Sequence, residues 1–511
     1  MNAIHHAPFA VRNARATWLA ATCLLCLAVA CAAADMPEPT PYTLADCVAL
    51  GLSNNVSLAN RQLEQALAGE QVESTRGIYD TRLSLGGLRS HTEMPTGASL
   101  AFGTTDSTSI EAALRKLCRR GTRLELKGSS LSQEYEPEPI AGLAALPGLD
   151  PDLISSLLYR YNPLHASTFT VSAAQPLLKN AGGRLDRALH RHARYSHAAA
   201  THLLERERRL VTARIHTGYW DLHAARLGFR VGKRSLARGK RLLEINRARS
   251  ADGLLDETDV LAAEAAVATR EAQLLELADI CENAEDLLKN ILRLPAAQWD
   301  RVTIVTPEDA EPAVQQDERP EPEAAYAQAL ANRADLKWLM TLKDQAAYDL
   351  TVKEQALRPD LSLVGSVGVG AYGESLNDSL DGDRNLWSVG LQFEVPLARR
   401  AEKSAVRQSK LRLALANNNI LAMRAALCLE CRAATRRLAT ANATLTATRR
   451  AMELHARKLE REQQKFEQGR SSTDQLTRYQ DDLEQAEMRY SVAWGARQKA
   501  QVQYQTVRGV L

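Results

Sequence analysis

The sequence predicts a mainly α-helical protein with a membrane β-barrel portion and two internal repeats. Three observations support this fold class: two long proline-free stretches, short segments in which apolar residues alternate with polar ones, and the recurrence of both patterns in the second half of the 511 residues. The mean hydropathy of −0.29 argues against a bundle of membrane-spanning helices. The net charge of +3 gives no indication of a nucleic-acid partner.

Residues 1–34 have the pattern of a secretory signal peptide. Arg12 and Arg15 precede an apolar run that is short for a membrane-spanning helix, and the three alanines at 32–34 form a candidate cleavage site. We therefore expect the mature protein outside the cytoplasm. Cys31 is a candidate for lipid attachment, so a lipoprotein remains the alternative to plain cleavage.

Two short helices are predicted at the start of the mature chain. Thr43 is a candidate N-cap, and the pair Asn54 and Asn55 marks a break. The second helix is predicted from Val56 to about Gly77, where a strand follows.

Strands are predicted where apolar residues recur every second position. Leu124 and Leu126 alternate with charged residues, and Trp387, Val389 and Leu391 alternate with Ser, Gly and Gln. A barrel with lipid outside and an aqueous lumen requires such a pattern, but a soluble antiparallel sheet with one wet face fits it equally well.

The number of strands in each chain stays open at four or six. Residues 108–117 and 122–127 could form an extra hairpin, and residues 137–163 resemble an exposed loop. Either number is too small to close a barrel from one chain. Since an open edge in lipid leaves backbone groups unpaired, the pattern predicts a ring of identical chains.

Two long helical hairpins are predicted. Residues 184–252 contain no proline and would form a rod of about 100 Å, with a reversal at Gly253. A second proline-free stretch follows Pro396 and ends at Gly469. The returning helices carry apolar stripes at three- and four-residue spacing, as in coiled coils. These stripes comprise Val260, Ala263, Val267, Arg270, Leu274, Leu277, Cys281, Ala284, Leu288 and Ile291, and Leu476, Tyr479, Leu483, Ala486, Tyr490 and Ala493.

The two halves align as repeats. Leu58 falls on Leu336 at an offset of 278 residues, and Pro176 falls on Pro396 at an offset of 220. The first repeat therefore has 278 − 220 = 58 more residues between its strands. The predicted organisation is a first repeat at 41–295, a linker rich in Pro, Glu and Asp at 296–323, and a second repeat at 324–511.

These features together resemble the TolC family of outer-membrane efflux proteins. The resemblance rests on TLADCVALGLSNNVSL from Thr43, the strand-to-helix turns containing Pro176 and Pro396, GLLDETDVLAAEAAV from Gly253, and FEQGRSSTDQLTRYQDDLEQAE from Phe466. It implies a homotrimer with one shared β-barrel in the outer-membrane lipid and a helical barrel in the periplasm. It also implies a passive exit duct, for efflux or type I secretion, that works with a periplasmic adaptor and an inner-membrane pump.

The resemblance also assigns residues at the helical tips. Gly253 and Gly469 occupy the family's turn glycines, and Thr258 and Asp259 match the acidic side of the first tip. Their partners would fall at Phe466 and Ser471, where the family has a hydroxylated aromatic and a basic residue. Arg470 is one position away, so we hypothesise an ionic latch between Asp259 and Arg470.

The family's aperture carboxylates would fall at Gln475 and Arg478, beside Asp474. Whether this aperture is acidic therefore stays open.

Other polar clusters favour simpler interpretations. Cys428 and Cys431 lie three residues apart but have no second ligand pair nearby, so we expect packing residues. The histidines at 190, 192, 197 and 202 are expected on an ordinary helix surface. We predict no catalytic residue, metal or cofactor. The alternative function is a structural or adhesive coiled-coil protein of the envelope, without a pore.

Overall fold

The computed structural model describes residues 41–93, 104–136, 162–299, 302–307 and 321–511. The predicted signal peptide, Cys31 and part of the predicted linker lie outside these residues. The chain divides into two compact units. The helical unit comprises described residues within 1–55, 211–319 and 437–503, and the sheet unit comprises those within 56–210, 320–436 and 504–511.

The sheet unit contains a single antiparallel sheet in which strands adjacent in sequence are adjacent in space. The described strands are β1 Arg82–Glu93, β2 Thr104–Leu117, β3 Arg123–Glu136, β4 Leu164–Pro176, β5 Asp360–Gly373 and β6 Arg384–Glu394. The described residues form six strands, where the sequence had left four or six open. The possible extra hairpin at 108–117 and 122–127 is present as β2 and β3, which pair over their whole length.

The helices follow the predicted stretches closely. They are α1 Leu44–Asn54, α2 Val56–Ser74, α3 Asp186–Ala251, α4 Glu257–Ile291, α5 Pro322–Asn332, α6 Ala334–Ala356, α7 Arg400–Glu467 and α8 Thr473–Arg508. Thr43 caps α1 in a reciprocal capping box with Asp46, as its position predicts. The second helix ends three residues earlier than expected, because Thr75–Tyr79 tightens into a 3-10 turn.

Helix packing in the sheet unit uses small and aliphatic side chains. One cluster joins α5 and α7 through Ala325, Ala329 and Cys431, and another joins α6 and α7 through Leu336 and Leu427. Cys431 is buried and its thiol is free, which agrees with the packing interpretation. No cluster of ligands suited to a metal ion occurs among the described residues.

The core of the helical unit is centred on α3 and α4. Ile215, Leu222, Leu288 and Leu292 are fully buried there. Ile304, within the segment predicted as a linker, is also fully buried in this core and forms a bridge to Tyr42. None of the described helices has a stretch both long and apolar enough to cross a membrane.

The structure thus confirms a mostly helical chain with a β-sheet. The trimeric barrel and the internal duplication remain predictions.

Candidate functional site

One face of the sheet carries a band of apolar side chains that no other described part of the chain covers. Strand register places one apolar residue from each strand in a continuous row. This row is Leu83, Leu114, Leu126, Val171, Val367 and Trp387. Trp387 is 79% exposed, and its same-face neighbour Val389 is 73% exposed. An uncovered apolar patch of this extent indicates an interaction with lipid or protein.

The opposite face is mainly polar. Arg115 and Glu125 form an ion pair at 2.9 Å there, and Lys127 pairs with Glu111. Hydroxyl pairs link other strands at 2.8 Å: Ser129 with Thr168 and Ser366 with Ser388. The small side chains and paired charges are compatible with contact with water.

The turn between β2 and β3 contacts the end of β4 and the strand-to-helix turn that follows β4. The Thr122 hydroxyl donates to Gln175 Oε1 at 2.5 Å. Gly121 and Gly183 both have positive φ, and a Cβ on Gly183 would lie 2.4 Å from the Arg119 carbonyl oxygen. Only glycine allows so close a backbone approach. The additional hairpin is therefore an integral part of the sheet.

The two prolines predicted at strand-to-helix turns lie at different positions in the sheet. Pro176 ends β4, and the Leu177 amide donates to the Leu361 carbonyl of β5. Pro396 follows β6, and the next residue, Leu397, is 98% exposed, whereas Leu177 is 41% exposed. The difference arises because β6 has no strand on its outer side in the described part of the chain.

The two helical tips have the same backbone geometry. Gly253 and Gly469 have φ values of 73° and 71°. After each glycine, the next amide donates to the carbonyl five residues back, from Leu254 and Arg470 respectively, at 2.8 Å. This is the Schellman arrangement that ends a helix and reverses the chain.

The predicted tip residues do not form the hypothesised latch within this chain. Thr258 and Arg470 are exposed, Asp259 is half-buried, and Asp259 and Arg470 form no ion pair in the part that the structure describes. Phe466 is a buried packing residue, and the Arg249 guanidinium lies 4.6 Å from its ring centroid.

Residues at the predicted aperture are exposed and locally paired. Arg478 contacts Asp474 at 3.4 Å across one helical turn, and Gln475 donates to the Tyr479 hydroxyl at 3.1 Å. Ser471 instead donates to Glu462 at 2.7 Å. The Ser471 hydrogen bond, followed by that from Lys465, lowers the pKa of Glu462.

Two residues that the sequence analysis did not assign connect the hairpins near their tips. Asn246 is fully buried, and its amide donates to the Asp259 carbonyl at 3.3 Å and to the Thr473 hydroxyl at 3.1 Å. Arg249 donates to the Phe466 carbonyl at 3.0 Å. Their only sequence signal is a polar side chain in the otherwise apolar face of α3.

A buried charge network lies further from the tips. Arg270, predicted as part of the α4 stripe, is 4% exposed and donates to Gln480 at 3.1 Å and to Asp481 at 2.6 Å. Its guanidinium also lies 3.9 Å from Glu484. An uncompensated charge would be costly there, so the network ties α4 to α8.

A buried aromatic cluster lies in the same unit. The His223 ring is 4.2 Å from the ring of Trp494, measured between centroids, and also contacts Trp220. Burial, reinforced by the charges of Arg230 and Arg226, lowers the pKa of His223 to about 4. His223 is therefore neutral at pH 7.

A two-faced antiparallel sheet combined with two long helical hairpins defines the fold of the TolC-like outer-membrane channels. Comparison with solved structures confirms this fold. No family model and no curated protein sequence matches the chain.

Three of the similar structures are outer-membrane proteins, two of them described as channels. The chain is 16% identical to the Campylobacter jejuni CmeC outer membrane channel, with a TM-score of 0.60, covering 91% of this chain and 85% of that one. For Vibrio cholerae VceC the sequence identity is 14% and the TM-score is 0.62, and the match covers 91% of this chain and 96% of that one. For the open state of the Neisseria gonorrhoeae MtrE outer membrane channel the sequence identity is 15% and the TM-score is 0.61. The match covers 92% of this chain and 89% of that one.

Proposed function

We propose that this protein is the protomer of a homotrimeric outer-membrane channel. It forms a passive exit duct for an inner-membrane pump, which it meets through a periplasmic adaptor. Its sheet lies in the outer-membrane lipid and its long helices form a barrel in the periplasm. The similarity to solved outer-membrane channels supports this role and favours a non-enzymatic protein.

The observation that carries the proposal is the uncovered apolar face of the sheet. A soluble sheet would bury such a face under a second layer. Here the apolar row crosses all six described strands and its members Val367 and Trp387 are strongly exposed. Lipid on this side and water on the polar side satisfy both faces.

The tips are the proposed meeting point with the adaptor. Leu254 is 74% exposed beside Gly253, and the first tip also presents Thr258 and Asp259. Since Asp259 has no pairing with Arg470 inside the chain, the latch we propose would join neighbouring copies and hold the aperture closed.

Single-channel recording combined with native mass spectrometry tests this function. Protein extracted from outer membranes in mild detergent should have three times the chain mass and should produce discrete conductance steps in a planar bilayer. A coiled-coil scaffold would produce neither, and a monomer recovered in the soluble fraction would overturn the proposal.

The same recording examines the latch. Asp259→Ala and Arg470→Ala should each raise the closed-state conductance, whereas Asp256→Ala, three residues from Asp259, should leave it unchanged. Equal conductance in all three variants would refute the latch without affecting the channel itself.

A further inference from the structure

Both outer strands of the sheet have an unpaired edge in the described part of the chain. β1 pairs only with β2, and β6 pairs only with β5. An edge of this length offers a row of backbone donors and acceptors to another chain. In lipid, each group left unpaired would cost several kcal/mol.

The two edges are suited to each other. The six described strands alternate in direction, so β1 and β6 are antiparallel, and residue Arg82 at the start of β1 lies at the same end of the sheet as Glu394 at the end of β6. Arg82 and Glu394 also lie on the same, polar face, opposite the side chains of Leu83 and Phe393.

We propose that β1 of one copy pairs with β6 of the next, with Arg82 directly opposite Glu394 of the neighbouring copy. This rests on the proposed channel function. In this register Leu83 meets Phe393 and Leu85 meets Leu391, so apolar side chains of the two copies lie side by side at this end of the boundary. A shift by one residue would place apolar side chains on the polar face, so only shifts by two are alternatives.

The strand tilt required for closure favours this register. Following directly paired residues across the sheet from Arg82 leads to Ser388 on β6. Glu394 lies six residues further along β6, so the proposed pairing displaces the row by six residues for each copy. Six residues are about 20 Å along a strand, and six strands are about 29 Å across, so the tilt is about 35°. Barrels have tilts of about 35–45°.

The neighbouring registers are less favourable. Placing Arg82 opposite Gln392 reduces the displacement to four residues and the tilt to about 25°, below the range of barrels. Placing Arg82 opposite Pro396 gives about 43°, but proline has no amide to donate and the charge pair is lost. Opposite charges directly across two strands stabilise the register that we propose.

Three copies paired in this way form a barrel of eighteen strands, of which the β2–β3 hairpins supply six. Its diameter between opposite strands would be about 34 Å, and barrels of 16–18 strands leave an aqueous channel. The polar face would line this channel.

Disulfide trapping in the full-length protein tests the register. Ser84→Cys combined with Gln392→Cys should give covalent dimers and trimers on non-reducing gels, because directly opposite residues have Cα atoms about 4.5–5.5 Å apart. The same Ser84→Cys combined with Gly390→Cys or with Glu394→Cys should link at least tenfold less, because diagonal neighbours are about 7–8 Å apart. Each single variant controls for the native cysteines.

A charge exchange provides a second readout. Within the chain, Arg115 lies directly opposite Arg82 and Asp360 directly opposite Glu394, so Arg82→Glu and Glu394→Arg each also change a charge pairing inside one copy. The dissociation temperature of the double exchange in detergent should therefore be higher than the sum of the two single effects predicts. A double variant that dissociates at the temperature given by that sum would overturn the charge pair.

The outcomes separate this proposal from the channel function. Preferential linkage through Gly390→Cys or Glu394→Cys would overturn the register. Absence of linkage in every pair, in protein of threefold native mass, would overturn the pairing of β1 with β6 but leave the trimeric channel intact. A native mass of one chain would overturn both.

Discussion

Apolar side chains in the core of the helical unit are covered, whereas those on the apolar face of the sheet are uncovered in the described part of the chain. Leu288 and Leu292 of α4 are fully buried against α3, whereas Val389 and Leu391 of β6 are 73% and 68% exposed. The helical hairpins supply two layers that cover each other, but the described sheet is a single layer. This difference shows that the helices satisfy their apolar stripes within one chain, while the sheet depends on its surroundings.

The largest expected effect tests the lipid side of the sheet. Val367→Arg places a charge in the apolar row, at a cost of about 2–4 kcal/mol per chain near the bilayer midplane. We expect trimers to be lost from outer-membrane fractions. Ser366→Arg, the adjacent residue on the polar face, is the control and should assemble. Equal assembly of both variants would show that the apolar face does not meet lipid.

The matching test in the helical unit removes a side chain that is covered within the chain. Leu288→Ala should destabilise the unit by about 2–5 kcal/mol, since it removes a fully buried side chain from the core. Leu287→Ala, at an adjacent position that is 63% exposed, should cost less than about 0.5 kcal/mol. Melting of the helical circular dichroism signal measures both. Similar melting temperatures would contradict the burial of Leu288.

Burial in the helical unit also predicts a dependence on pH. His223 has a folded pKa of about 4, below its unfolded value of 6.5, so the unfolded chain binds the proton more readily. The stability from neutral His223 is present above pH 6.5 and is lost as the pH falls towards 4, by about 2 kcal/mol between pH 6.5 and 5. His223→Phe should flatten the change in melting temperature over this interval. An unchanged slope would refute the role of His223.

The smallest expected effects concern two glycines in the helical unit, whose replacement by alanine should change the stability in opposite directions. Gly253→Ala should destabilise the first tip by about 1–2 kcal/mol, because its φ of 73° is left-handed. Gly228→Ala, within α3, should stabilise by about 0.5–1 kcal/mol, since its added Cβ would make only ordinary contacts 3.8 Å from Met488. Thermal melts of both variants measure this difference, and the same sign for both would contradict it.

The sequence by itself determined the elements, because their signals are local. The two-residue period identified β6, the capping residue Thr43 identified the start of α1, and glycine marked the reversals at Gly253 and Gly469. These properties depend on the conformation of a few consecutive residues.

Only the tertiary structure decided which residues meet across the chain. It assigned the β2–β3 hairpin to the sheet through the approach of Gly121 to Gly183, and it buried Asn246 between the tips. It also showed that Phe466, a predicted tip residue, is buried and packs in a hydrophobic cluster. Such contacts join residues from distant segments, so no local period encodes them, and burial and hydrogen bonding emerge only when the hairpins pack together.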